Sequence, residues 1–264
     1  MDSPAVVTFL GSCSGTEPMP GRHHTSFTLH FRDRLYWFDA GECCSYTAHL
    51  AGLELPSTEA VFVSHTHMDH IGGLPNLLWT LRKLTTCTAE ARQRLGGRTI
   101  GIHLPNLAVY EGMLAMLRGT EGGFRTGFSL QPHQLVDGVA YDAHGVRVRA
   151  LHNFHLGKAE PFQSFSLRVE AGQHAIAYSG DVKNIADFAE FHDGCDLLLM
   201  ETGHHRVEDV CSYLRDSDAR FGKLVFVHHG RAILDDPERE LAKARAILGN
   251  KVAIADDGMV LTLA

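Results

Sequence analysis

Val61-Phe62-Val63 runs straight into Ser64-His65-Thr66-His67-Met68-Asp69-His70, and no other stretch constrains the fold as much. Three β-favouring apolar residues followed by a turn read as a buried strand that stops and delivers polar side chains at its C-terminal end. Imidazole is the commonest metal ligand, and a carboxylate adds a harder oxygen donor. His65 and His67 are two apart, so an extended backbone points them the same way. Asp69 and His70 follow the turn and can face a second position beside the first. One tetrahedral site needs only three or four protein ligands. Four donors within six residues, with more histidines downstream, therefore predict two adjacent metals. A merely His-rich loop would need neither the strand before it nor the Ile71-Gly72-Gly73-Leu74 exit after it.

The rest of the chain has room for such a site. Its 264 residues are 44% hydrophobic and 21% charged, enough for one large α/β domain spanning 1–264. No run reaches the roughly 18 apolar residues of a membrane span. Val6 to Leu10 is too short for a signal-peptide core and has no basic residues before it. The six cysteines (13, 43, 44, 87, 195 and 211) form no C-x-x-C pair, which predicts reduced thiols and a cytoplasmic protein. A formal net charge of −7 argues against non-specific nucleic-acid binding. Eighteen histidines exceed what a core of this size needs.

Taken in order, Ala5 to Leu10 is a short strand entering a Gly-, Pro- and Ser-rich loop that reaches Ser26. Phe27 to Phe31 and Leu35 to Phe38 form a hairpin. Ser45 to Leu50 is a short helix. Leu74, Leu77, Leu78, Leu81 and Leu84 lie at helical spacing, so an amphipathic helix follows the donor cluster. Leu81 to Arg98 is locally basic, either a solvated face or a phosphate-attracting patch. Ile100 to His103 is a strand, and Pro105 is expected to open a helix to Arg118. Glu121 to Gly127 is a glycine-rich link. Strands are expected at Gly145–Leu151, Gln163–Val169, His174–Tyr178, Asp196–Met200 and Leu224–Val227. Ile185 to Phe191 reads as helical, and a helix follows His205. Asp236-Pro237 caps a helix closed by Gly249. Val252–Ala255 and Met259–Leu263, around Asp257-Gly258, are expected to pair as a final hairpin.

Strand after strand ends in a potential ligand: Asp39, His65 and His67, His152 or His155, Asp181, His228. The His-x-His-x-Asp-His motif after an apolar strand resembles the signature of the metallo-β-lactamase superfamily. That resemblance implies a four-layer αββα sandwich, two mixed sheets between helical layers, with the site along one edge. It implies His65, His67 and His155 on the first metal, with His152 as the alternative. Asp69, His70 and His228 belong to the second, and Asp181 bridges both. Two Zn²⁺ are expected, with Mn²⁺ or Fe²⁺ as alternatives. Asp39 and His229 are expected behind the ligands, where such groups fix a ligand's tautomer and orientation.

Other residues resemble the ribonuclease Z-like branch: Phe9-Leu10-Gly11-Ser12 followed by Pro18 and Arg22, Phe38-Asp39-Ala40-Gly41-Glu42, and Leu197 to Thr202. The branch implies phosphodiester hydrolysis, with Pro18 and Arg22 near bound RNA. Asp69, Glu201 and His205 would serve catalysis, His205 protonating the leaving oxygen and His204 as runner-up. Position 181 lies only 26 residues after 155, too short for the tRNA-gripping arm of ribonuclease Z. A small phosphodiester such as a cyclic nucleotide, a short oligonucleotide or an RNA 3′ end is therefore the expected substrate. A thioester or lactone hydrolase and a non-catalytic metal-binding protein are the competing readings. Family members often pair, so a homodimer is a further expectation.

Overall fold

The computed structural model describes residues 3–264. The described residues hold fourteen strands, in runs separated by helices: β1 (Ala5–Gly11), β2 (Ser26–Phe31), β3 (Arg34–Phe38), β4 (Thr58–Phe62), β5 (Thr99–Leu104), β6 (Ser129–Gln134), β7 (Gly138–Ala143), β8 (Val146–His152), β9 (Phe165–Ala171), β10 (His174–Tyr178), β11 (Cys195–Thr202), β12 (Phe221–His229), β13 (Val252–Ile254) and β14 (Val260–Leu263). They form two seven-stranded sheets, ordered β14-β1-β2-β3-β4-β5-β6 and β13-β12-β11-β10-β9-β8-β7. Helices cover the outer faces, so the expected four-layer sandwich is what the chain builds.

Period-two alternation decides which side chains meet. Ala60 and Phe62 of β4, Phe9 of β1 and Phe27 of β2 point into the space between the sheets, where they pack with Leu197, Leu199 and Tyr178 of the other sheet. Val61 and Val63 point outward onto the helix Leu74–Cys87, whose Leu74, Leu77, Leu78 and Leu81 form its buried stripe. Leu198 and Met200 of β11 do the same for the helix Val207–Asp216. Strands covered on both faces read as unbroken apolar runs, which is why β4, β11 and β12 are legible from sequence. Each such leucine contributes roughly 1.5–3 kcal/mol by leaving water.

Strand direction then creates the site. β3 to β6 are parallel in the first sheet and β10 to β13 in the second. β8 pairs antiparallel with β9, as does β10, so β8 and β10 run the same way. The C-terminal ends of β3, β4, β8, β10, β11 and β12 thus share one rim. The Phe165 amide donates to the Ser64 carbonyl at 3.0 Å and ties the two sheets together there.

Three expectations change, and two strands are new. Val252–Ile254 and Val260–Leu263 are not a hairpin: β13 pairs with β12 and β14 with β1, so the chain crosses between sheets at Asp256–Met259. The helix after Pro105 starts at Leu107, because Asn106 caps it by accepting from the Ala108 amide. β6 and β7 carry no sequence expectation; both are half-exposed edge strands, and Pro132 sits inside β6. The basic run after Leu81 binds the fold to itself. Arg92 donates to the Thr85 and Thr86 carbonyls, Arg94 to Ser57, and Arg98 to Glu59. All six cysteines are free, and no helix among the described residues is long and apolar enough to cross a membrane.

Candidate metal centre

Three overlapping groups of donors meet at the rim, one of them Asp181, Glu201, His204 and His228, and the other two meet at Asp181. His65, His67, His155 and Asp181 form the first; Asp69, His70 and His228 form the second, with Asp181 against it. His67 Nδ1 lies 3.1 Å from His65 Nε2 and 3.4 Å from His155 Nε2. Asp181 Oδ2 is 3.7 Å from both His65 and His155. On the other side, Asp69 Oδ2 is 3.4 Å from His70 Nε2 and 3.1 Å from His228 Nε2. Asp181 places Oδ1 3.3 Å from His70 and Oδ2 3.3 Å from His228. A tetrahedral cation with bonds of about 2.0–2.1 Å separates its donors by about 3.3 Å, which these spacings match.

Buried atoms without partners make the same point. His70 Nε2 and Asp181 Oδ1 are buried and accept or donate no hydrogen bond within the protein. A buried polar atom left alone costs about 1–3 kcal/mol. The donor set is nitrogen and carboxylate oxygen, the chemistry of zinc, manganese or iron. These residues therefore fit a pair of divalent cations.

Electrostatics show what the cluster does without them. Burial alone would push the His70 ring down, but Asp181 and Asp39 outweigh it and hold its pKa well above the ordinary value. Burial also opposes a charged His228, yet Asp181, Asp69 and Glu201 lift it to about 9. Despite burial, the histidines hold Asp69 and Asp181 well below the usual carboxylate range. His65 goes the other way, neutral because burial and the neighbouring His70 both disfavour its charge. A cation would take the place of the protons on His70 and His228.

Asp39 sits behind this cluster, fully buried. It accepts from the Ser64 amide at 2.6 Å, Ser64 Oγ at 2.9 Å, His70 Nδ1 at 2.7 Å and Tyr178 Oη at 2.6 Å. Holding a proton on Nδ1 leaves Nε2 facing the cluster. Asp39 and His228 both adopt left-handed backbone, φ 54° and 50°. Such strain costs about 1–3 kcal/mol for non-glycine residues and persists where the surroundings demand it. At His228 the register of β11 against β12 shifts at Glu201/Thr202, and the bend aims the ring into the site.

Of the two third-motif candidates, the structure brings His155 to the cluster. His152 is engaged elsewhere: Nδ1 pairs with Asp137 at 2.6 Å, and its ring stacks on Phe162. Of the next pair the structure puts His204, not His205, at the cluster. His204 lines a cavity of about 240 Å³ with Ser14, Gly15, His67, Asp69, Asp181 and His228. Its Nδ1 bonds Glu201 Oε1 at 3.0 Å, and that bond raises its pKa. His205 lies to one side: its Nε2 donates to the Val182 carbonyl at 3.0 Å and stands 3.7 Å from Glu201 Oε1, and it does not line that cavity. Glu201 lies fully buried inside β11, beneath His204 and 3.7 Å from His228 Nδ1. The paired histidines lower its carboxyl to about 2 against the opposing effect of burial.

Three further candidates sit outside the donor cluster. His229 supports no ligand ring: Nε2 donates to the Ala255 carbonyl, and its own carbonyl accepts from Ser14. Arg22 is held by Ser12, the Ala255 carbonyl and Asp256. With Pro18 it lines a separate cavity of about 220 Å³ beside Cys13 and Glu42. Ser64 and Tyr178 carry no sequence assignment, although a tyrosine among the inward apolar positions of β10 signals a buried polar partner. Ser14 and Gly15 form the lip of the site. A β-carbon on Gly15 would stand 3.0 Å from the Asp69 carboxylate.

The comparisons agree with this geometry. A family profile described as "Beta-lactamase superfamily domain" matches residues 37–229. Ribonuclease Z of Treponema pallidum (strain Nichols) is 44% identical over 73 residues, 28% of this chain. That match spans only 24% of the relative's length. Ribonuclease Z of Haloferax volcanii is 25% identical over 314 aligned positions, covering 97% of this chain and 94% of that one. The crystal structure of the metallo-β-lactamase fold protein YhfI from Bacillus subtilis superposes with a TM-score of 0.75 at 18% identity, covering 98% of this chain and 99% of that one. With the strand order, the ligand motif and the matched profile together, the chain belongs to the metallo-β-lactamase superfamily.

Proposed function

We propose that the protein is a metal-dependent phosphodiesterase with ribonuclease Z-like chemistry, acting on a small phosphodiester or an RNA 3′ end. The observation that carries this is the Glu201–His204 pair, set against two ligand groups that share Asp181. His65, His67, His155 and Asp181 would hold one divalent cation, and Asp69, His70, His228 and Asp181 the other. Two such cations, zinc first and manganese or iron as alternatives, activate water and offset charge on a phosphoryl group. Two carboxylates, Asp69 and Asp181, would touch the cations directly, and Asp39 and Glu201 stand behind the histidines. Asp69 stands at the cavity wall, placed to orient the attacking water. Glu201 grips His204 through Nδ1 and leaves Nε2 free to give a proton to the leaving oxygen. Hydrolysis of a thioester needs no such donor, because a thiolate leaves readily.

The substrate is smaller than a tRNA. Between His155 and Asp181 the chain is occupied by a loop, β9 and β10. The formal charge of −7 also suits a short anion better than a long polyanion held at many phosphates. Six free cysteines fit a reducing, cytoplasmic setting. The test is turnover of a dinucleoside monophosphate, whose leaving group is an ordinary alkoxide, against a simple thioester by the metal-loaded protein. Diester turnover that falls in His204→Ala supports the proposal; turnover of the thioester alone overturns it.

A further inference from the structure

A second cavity of about 170 Å³ adjoins the metal site. Thr202, Gly203, His204, His205, Arg206 and Val207 form one wall, and Gly230, Arg231, Ala232 and Ile233 the other. Gly203 and His204 line both this cavity and the metal cavity, so the two lie side by side across that pair.

Two glycines let the segments between the cavities pack closely. A β-carbon on Gly203 would lie 2.6 Å from His228 Nδ1, and one on Gly230 would lie 3.2 Å from the Gly203 Cα. Gly230 has φ −84° and ψ 179°, extended backbone that any residue adopts. Space, not conformation, is what glycine supplies there.

The cavity's charged groups are both cationic. The Arg206 side chain is exposed and makes no ion pair or hydrogen bond among the described residues, with Glu208 as its acidic neighbour. Arg231 pairs with Glu17, but both partners are about half exposed or more, at 52% and 62%. An exposed pair of this kind is worth about 0–1 kcal/mol, so an incoming anion can exchange for Glu17. The nearby Glu208 is already matched by Lys243 at 2.9 Å. Two guanidiniums facing one cavity suit a phosphate, which they bind through paired N–H donors.

We propose that this cavity is a subsite for a second phosphate of the substrate, one nucleotide from the bond being cut. The inference rests on the phosphodiesterase reading above and narrows it, favouring a phosphorylated dinucleotide or oligonucleotide end over a cyclic nucleotide, which has one phosphate. The bond being cut would sit at the metal cavity, and Arg206 and Arg231 receive the distal phosphate in the adjoining one.

The test uses two chromogenic substrates, the p-nitrophenyl ester of thymidine 5′-phosphate with and without a 3′-phosphate. Both report p-nitrophenolate release by the metal-loaded protein. The expected result is a kcat/KM about tenfold or more higher with the 3′-phosphate, the size typical of charge-assisted hydrogen bonds. In Arg206→Ala/Arg231→Ala that gain disappears while the plain ester is turned over as before. Equal kcat/KM for the two esters in the unmodified protein overturns the subsite, as does a gain that survives in the double variant. Failure to cleave either ester removes the phosphodiesterase reading and the subsite with it.

Discussion

Asp39→Asn tests how the ligand cluster is held. The substitution keeps shape and volume but turns one carboxylate oxygen into an NH₂ group. Every contact of Asp39 is with a donor: the Ser64 amide, Ser64 Oγ, His70 Nδ1 and Tyr178 Oη. With the new NH₂ toward Ser64, it meets a backbone N–H that cannot turn away. With the NH₂ toward the ring, His70 must accept at Nδ1 and carry its proton on Nε2, the nitrogen aimed at Asp69 and Asp181. The first arrangement leaves a buried donor unpaired, at about 1–3 kcal/mol. The second removes a ligand from the metal site. Loss of such a supporting partner typically weakens metal binding about 10–100-fold, equivalent to about 1.4–2.7 kcal/mol. The variant is therefore expected to bind one of two zinc ions 10–100-fold more weakly, measured by chelator competition. Its metal-free form should also unfold at lower denaturant, with an unchanged m-value. Full affinity for both ions, with native stability, would refute the role given to Asp39.

His204→Ala should lose about 10²–10⁴-fold in kcat on a diester with an ordinary leaving group while keeping its metal, whereas His205→Ala should lose far less; steady-state kinetics with elemental analysis separates them. Metal uptake should release protons, because His70 and His228 are held protonated in its absence, and calorimetry in buffers of different ionisation enthalpy reads the number. The raised His228 pKa stabilises the metal-free fold below the ordinary histidine value, and this stabilisation fades as pH rises through about 9. The gap in denaturation midpoint between metal-loaded and metal-free protein should therefore widen from pH 6 to 9. Asp257 accepts from Ser12 and His23 and pins the loop that carries Ser14 and Gly15, so Asp257→Ala should raise KM several-fold with metal content intact.

Most of the centre is legible from sequence because its ligands lie where buried strands end. β4, β10 and β12 announce themselves as apolar runs, and His65, Asp181 and His228 follow from where those runs stop. What stays hidden depends on choices that no period encodes. His204 and His205 are neighbours, and only the turn after β11 decides which ring meets Glu201. β13 and β14 flank an Asp-Gly that suits a hairpin, yet each finds a partner in a different sheet. Ser129–Gln134 breaks the strand pattern with Pro132, which an edge strand tolerates because one side of its backbone goes unpaired. Arg22 reads as a substrate contact, but the Asp256 carboxylate that holds it lies more than 200 residues away in sequence.

Titration of the metal-free protein with zinc addresses the shared-carboxylate arrangement most directly. Two equivalents per chain should bind, and Asp181→Ala, which takes a donor from both groups, should weaken both. A single equivalent in the unmodified protein, or two that bind undisturbed in Asp181→Ala, would contradict a centre in which Asp181 joins two cations.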